Sequence, residues 1–257
     1  MISFILPIKN RFENLEKILS NCKAVFKKLK YEIVIIDASN TEIARKNKVL
    51  VNNFKNIKYF KQKSTRITRG CFEALKHLKY DNVTFLYDDD VMGPYVYQIY
   101  KNFVKSGIFS MGTGIVLEQD NTKYKFKKIK KFRISKKNLL INYYGQPLSK
   151  IDTRFNNFIS SPASPICTCF KKKYLYDWKD KIFRFTKNNN FRNHYLLVKD
   201  IGPDLIAYLT NIINSEKKIY YYLPPSVRFS SHDESISIIY GKNNLRIGYW
   251  LARISIL

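Results

Sequence analysis

Between Ile2 and Ile8 the chain is an almost unbroken apolar run closed by Pro7, the pattern of a strand buried on both faces of a parallel sheet. The turn Lys9-Asn10-Arg11 follows. From Phe12 to Leu29 the apolar positions Leu15, Ile18, Leu19, Cys22, Val25, Phe26 and Leu29 recur at threes and fours, which describes one face of a helix. Tyr31 to Asp37 is a second buried strand, and it ends in an acid. Strand, helix and strand at this spacing form a βαβ unit, so the two strands are expected to be parallel with a right-handed crossover. The alternation continues. Ala38-Ser39-Asn40-Thr41 reads as a turn leading to a helix N-cap, with the helix running to about Phe54. Ile57 to Phe60 is a short strand, Ser64 or Thr68 to Leu78 a helix, and Val83 to Tyr87 a fourth strand.

Beyond Asp90 the pattern loosens. A helix is expected over Pro94 to Lys105, then a strand over Ile108 to Leu117, where Gly107, Gly112 and Gly114 point to a close approach of another backbone. Ile166 to Phe170 reads as a strand, Tyr174 to Lys181 as a short helix and Leu205 to Asn214 as a helix with one apolar face. Lys217 to Leu223 is a tyrosine-rich strand expected to stop at Pro224-Pro225. There is no internal repeat and no linker-like stretch. With 257 residues, 45% hydrophobic and 26% charged, the chain has the make-up of a single folded α/β domain over 1–257.

Charge changes the picture. Lys and Arg number 46 against 20 Asp and Glu, a net +26, which calls for an anionic partner: nucleotide phosphates, nucleic acid or an anionic membrane face. The excess gathers in Lys27-Lys28-Leu29-Lys30, in 123–137 and in Lys171-Lys172-Lys173. The middle run interleaves Tyr and Phe, so it could stack bases or lie on lipid headgroups; a solvated edge is the plainer alternative. Cys22, Cys71, Cys167 and Cys169 lack the spacing of a disulfide or zinc framework and read as reduced thiols of a cytoplasmic protein. The apolar opening is too short for a signal peptide, and no run of ~20 apolar residues could cross a bilayer. A cytoplasmic or peripherally membrane-bound protein is expected.

Candidate chemistry concentrates where the fourth strand ends, in Asp88-Asp89-Asp90. Three adjacent carboxylates at the end of a buried strand repel one another and lose hydration, which favours a hard divalent cation carrying phosphates on its other face. A solvated turn with Asp90 capping the next helix is the competing reading. In α/β sheets ligands sit at the carboxyl ends of the strands, where Asp37 also falls. Asp204, in the first turn of its helix, has helix-dipole compensation as its plain explanation.

Phe4-Ile5-Leu6-Pro7-Ile8-Lys9-Asn10-Arg11, Glu32-Ile33-Val34-Ile35-Ile36-Asp37 and Phe85-Leu86-Tyr87-Asp88-Asp89-Asp90 resemble, in order and spacing, three motifs of family 2 glycosyltransferases with the GT-A fold. Ser161 to Cys167, Gly202-Pro203-Asp204-Leu205 and His232-Asp233-Glu234-Ser235-Ile236-Ser237 resemble a bacterial subgroup of surface-polysaccharide enzymes, whereas 118–158 match nothing familiar.

The resemblance implies a Rossmann-like, mainly parallel sheet with a nucleotide-sugar-binding half (1–117) and an acceptor-side half with a C-terminal tail (118–257). It implies a metal-dependent, inverting sugar transfer from a nucleoside diphosphate donor to a hydroxyl of a glycan or lipid-linked acceptor. Pro7, Asn10, Arg11, Asp37, Asp88, Asp89 and Arg69, or its close competitor Arg66, would hold the nucleotide. Asp90 and His232, the latter replaceable by Asp233, would hold Mn²⁺ or Mg²⁺. Asp204 would be the catalytic base; the family usually has Glu-Asp where this chain has Pro203-Asp204, which leaves Asp200 as the alternative. Nucleic acid is not expected as the partner. A basic nucleic-acid or membrane-binding module, and a nucleotidyl or phosphosugar transferase on the same fold, are the rival readings.

Overall fold

The computed structural model describes residues 1–117, 125–137, 165–215, 218–230 and 236–256. The predicted alternation is present as β1 (Ile2–Ile8), α1 (Phe12–Val25), β2 (Tyr31–Asp37), α2 (Thr41–Val51), β3 (Ile57–Lys61), α3 (Ile67–Ala74) and β4 (Asn82–Phe85). β1 pairs in parallel with β2, from Ile2 opposite Tyr31 to Ile8 opposite Asp37, and on its other side with β4. Asn40 caps α2 by accepting from the Ile43 amide at 2.9 Å, as the turn motif predicted.

The later elements are β5 (Val91–Met92), α4 (Val96–Ser106), β6 (Ser110–Leu117), β7 (Lys130–Ser135), β8 (Phe170–Lys171), α5 (Lys172–Thr186) and α6 (Asn190–Asn193), which runs into a π-turn at His194–Val198. Then come α7 (Pro203–Asn214), β9 (Lys218–Ser230) and α8 (Ile236–Ile254), broken at Gly241. The main sheet has the order β3-β2-β1-β4-β8, parallel except for β8; the second has β5-β9-β6 with β7 also on β9.

Period-2 alternation in β1 and β2 divides the core. Phe4, Leu6, Ile33 and Ile35 face α1 and α4, where Phe4 stacks on Phe26 at 4.5 Å. Ile5, Val34 and Ile36 face α3, α5 and α7, packed with Phe72, Trp178 and Leu205. A parallel sheet covered on both faces explains the near-continuous apolar runs of its central strands.

Several expectations need correcting. β4 ends at Phe85, not Tyr87: the Leu86 amide still donates to Ile5 at 2.7 Å, and then the chain turns, with the Asp90 amide reaching the Tyr87 carbonyl at 3.4 Å. Asp90 caps no helix, since α4 begins after Tyr95. β9 continues through Pro224-Pro225, because its register with β6 shifts there: Leu223 to Ser226 stand against Thr113 alone, so the prolines lie in a bulge of β9 where no ladder donor is needed. Of the strand expected over Ile166 to Phe170, only Phe170 lies in β8, which adds Lys171, while Cys169 makes a single bridge to Ser110; α5 is longer than expected because Leu175, Trp178 and Ile182 continue its buried stripe. Gly112 and Gly114 admit side chains rather than a backbone: a Cβ on Gly114 would lie 2.4 Å from the Phe229 ring.

The last helix is locked to the start of α7 by two glycines. Gly202 has φ +97°, and a Cβ there would stand 2.7 Å from the Gly248 carbonyl; a Cβ on Gly248 would stand 2.2 Å from Cγ2 of Ile201. Gly248→Ala should therefore overpack this junction and lower unfolding stability by about 1–3 kcal/mol in chemical denaturation. Unchanged stability would contradict the docking of α8 against α7.

Candidate active site

Four strand ends and two helix starts meet at the carboxyl edge of the main sheet. After β1, Asn10 adopts a left-handed conformation (φ 53°), its amide donates to Ser39 Oγ at 2.7 Å and its Oδ1 accepts from the Asn40 amide at 2.8 Å. The turns after β1 and β2 are thus stitched together. Arg11 is thereby aimed across the edge, where one Nη contacts Asp88 at 3.4 Å and Asp89 at 3.2 Å. Asp90, 8% exposed, completes the triplet.

Asp37 is placed differently from the rest. It is fully buried; Oδ1 accepts from the Ser39 amide at 2.6 Å, and Oδ2 from Asn47 at 2.9 Å and the Tyr59 hydroxyl at 2.5 Å. Its carboxylate holds the turn that carries Ser39 and Asn40. The Tyr59 phenol is pushed above its ordinary range by burial and then by that carboxylate.

On the opposite side of the cleft, Asp200 reaches back to the start of α3. In a left-handed conformation (φ 56°), it accepts from the Ile67 and Thr68 amides, both at 3.1 Å. It caps a helix whose own N-cap residue, Arg66, provides no side-chain cap. Burial raises the proton affinity of Asp200, while Thr68, the two amides and Arg66 pull it back.

Asp204 sits just inside α7, half-buried, and burial raises its proton affinity against the pull of its own and the Leu205 amide. No cation is among the groups that tune it. Trp178 Nε1 donates to the Pro203 carbonyl at 2.7 Å and fixes this helix start from α5.

Tyr87 lies between the two acidic groups. Its phenol is pushed well up by burial first, then by Cys71, Asp204, Asp90 and Asp200.

A cleft of about 770 Å³ joins these groups. Pro7, Asn10, Arg11, Arg66, Asp88, Asp89, Asp90, Asp200 and Asp204 line it; Asp37 and Arg69 do not. Arg69 is exposed one turn further along α3, so Arg66 is the arginine that reaches the cleft. His232 and Asp233 lie outside the described residues. The triplet also walls a second, more open cavity of about 1040 Å³ with Lys17, Lys46 and Arg228.

Sequence reasoning missed the apolar and aromatic wall of the cleft, made by Trp178, Tyr208, Phe229, Ile239, Leu245 and Tyr249. The available signal was the aromatic pair Tyr249-Trp250 near the chain end, of which Tyr249 turns in and Trp250 is 60% exposed. The Tyr249 phenol is pushed upward chiefly by the Asp204 charge, with burial adding to it, so the C-terminal helix completes the surroundings of Asp204. Among the described residues no three His, Cys, Asp or Glu side chains converge as a ready-made metal cage.

The structure is similar to that of S. aureus TarS residues 1–349 (TM-score 0.58, 16% identity, 89% of this chain and 60% of that one). The same protein in complex with UDP-GlcNAc gives 0.58 and 15%, over 92% and 60%. The longer TarS structure gives 0.59 and 15%, over 96% and 38%, so this chain spans well under the full length of these relatives. At such identities the likeness is one of fold. No curated protein sequence matches the chain. The family model described as Glycosyl transferase family 2 matches residues 3–191. With that match over most of its length, and with a parallel-dominated sheet flanked by helices like that of GT-A relatives such as TarS, the chain belongs to glycosyl transferase family 2.

Proposed function

We propose that the cleft transfers a sugar from a nucleoside diphosphate donor to an acceptor hydroxyl, with inversion at the anomeric carbon. The observation that carries this reading is the pairing, in one cleft, of a cation-and-acid cluster from the first half of the chain with a carboxylate from the second half that has no cationic partner among its tuning groups. The halves 1–117 and 118–257 then divide the work between donor and acceptor.

Arg66 and Arg11 provide positive charge for the diphosphate, Asp88 a hydrogen-bond acceptor for the ribose, and Asn10 and Pro7 the floor beside the base. Asp37 acts from behind, by holding the Ser39-Asn40 turn against Asn10.

The triplet fits a divalent cation only in the manner of Mg²⁺ or Mn²⁺, which take one or two carboxylates and fill the rest of their shell with phosphate oxygens and water. Asp90 is the first such ligand, and His232 remains a proposed second. A cation bound there would offset the charge that builds on the departing diphosphate.

Asp204 takes the proton of the acceptor hydroxyl as its oxygen bonds to the anomeric carbon and the bond from that carbon to the phosphate oxygen breaks on the opposite face. The aromatic wall around Asp204 suits the C–H faces of a sugar acceptor, as a free or lipid-linked glycan of surface polysaccharide synthesis would present. Because TarS was solved with UDP-GlcNAc, a uridine donor is the first to test. Asp200 has both of its oxygens engaged by α3, so its role is to hold Arg66 in place.

Asp204→Asn should leave donor binding unchanged and lower product formation by about 10²–10⁴-fold. The wild-type rate should fall on acidification through a limb displaced above the ordinary Asp value of about 3.9, because only ionised Asp204 accepts the proton and burial raises its affinity. Chromatographic assay of transfer against pH checks both, and wild-type turnover in the variant would remove Asp204 as the base. Asp200→Asn, in contrast, should raise KM for the donor while kcat stays within a few-fold; a collapse of kcat with unchanged KM would make Asp200 the base instead.

A further inference from the structure

Between 125 and 137 the chain carries Lys125, Lys127, Lys128, Lys130, Lys131, Arg133, Lys136 and Lys137 and no acid. The structure turns this run into a fixed strip. β7 pairs with β9 over six residues, from Lys130 opposite Leu223 to Ser135 opposite Lys218. Its apolar residues are directed inward: Ile129 is 6% exposed, Phe132 and Ile134 pack on the core, and the Phe126 ring covers Gly93, where a Cβ would lie 2.5 Å from it. Lys136 is drawn in as well, donating to the carbonyls of Ile213 and Ser215 at the end of α7.

The other seven cations are exposed. None takes part in an ion pair among the described residues. Lys131 and Arg133 lie over the Tyr220 ring, at 4.4 and 6.0 Å from its centroid, but seven like charges on one short strip still repel one another, and no described carboxylate offsets them.

We propose that this strip docks the protein on an anionic lipid surface. Because Phe126, Phe132 and the aliphatic residues face inward, the strip has no ring free to stack on a base among the described residues, and so lacks there the usual device of single-strand nucleic-acid binding. All but one of its exposed cations are Lys, the compact, strongly hydrated charge, rather than Arg, whose fork suits bidentate phosphate and base recognition. A layer of lipid headgroups needs only charge density within a Debye length, which a flat lysine-rich edge provides. Elsewhere on the chain, Trp250 is 60% exposed on α8, a residue type that settles at headgroup depth. The proposal is independent of what the cleft transfers.

Co-sedimentation of the full chain with vesicles tests it, comparing phosphatidylcholine alone with phosphatidylcholine mixed with phosphatidylglycerol. Binding is expected only to the anionic vesicles and should fade as salt is raised. Lys127→Glu combined with Lys128→Glu, both outside the β7 ladder, should weaken it by more than about tenfold, and adding Lys131→Glu should weaken it further. The melting temperature and nucleotide binding of the Lys127→Glu, Lys128→Glu variant should stay unchanged, which separates a lost surface from a lost fold or a failed cleft; Lys131, which lies over the Tyr220 ring, is expected to lower the melting temperature when replaced. Equal binding to neutral vesicles, undiminished binding by the variants, or tighter salt-sensitive binding to a duplex oligonucleotide than to vesicles would overturn the proposal.

Discussion

The site depends on how three consecutive carboxylates are kept together at the end of a buried strand. Their mutual repulsion and lost hydration must be offset locally. β4 stops at Phe85 and releases Asp88, Asp89 and Asp90 into a turn, and Arg11 from the end of β1 meets the first two of them. The Asn10 to Ser39 and Asn40 bonds that aim Arg11 rest in turn on Asp37, so a fully buried acid on β2 sets the position of a cation in the turn after β1. A bound diphosphate would compete with the aspartates for Arg11, and a divalent cation would replace the charge that Arg11 provides. That exchange couples cation and donor binding in the proposed mechanism.

The opposite wall is built from segments distant in sequence. Asp200 caps α3 across 133 residues, Trp178 of α5 holds the start of α7, and Gly202 and Gly248 allow α8 to close against it. Asp204 is left half-buried at a helix start, with aromatic neighbours in place of cations. Such an environment raises the proton affinity of a carboxylate, as a general base requires, whereas an acid serving only the helix dipole gains little from burial.

Much of the first half was legible in the sequence because parallel strands buried on both faces leave continuous apolar runs, and the 3.6-residue stripe of α1 is regular. The triplet stood out as acids at a strand end against that pattern, whereas Arg11 and a catalytic role for Asp204 were suggested only by the family resemblance. Contacts across long sequence separation left no local trace: nothing near Asp37 announces that Tyr59, 22 residues away, donates to it. Arg66 and Arg69 could not be separated, since only the orientation of α3 decides which one faces the cleft. β7 does alternate, with Phe132 and Ile134 between Lys131, Arg133 and Ser135, but the charge of the run obscured the period. Pro224-Pro225 looked like a stop because the bulge of β9 that accommodates it shows only in its register with the distant strand β6.

Calorimetric titration with UDP, in Mn²⁺ and in chelator, tests the central claim that the triplet holds a cation and a diphosphate together. The expected result is binding tightened at least about tenfold, roughly 1.4 kcal/mol, by Mn²⁺ in the wild type and by nothing measurable in Asp90→Ala. Equal affinity with and without the cation, or an undiminished Mn²⁺ effect in Asp90→Ala, would contradict it.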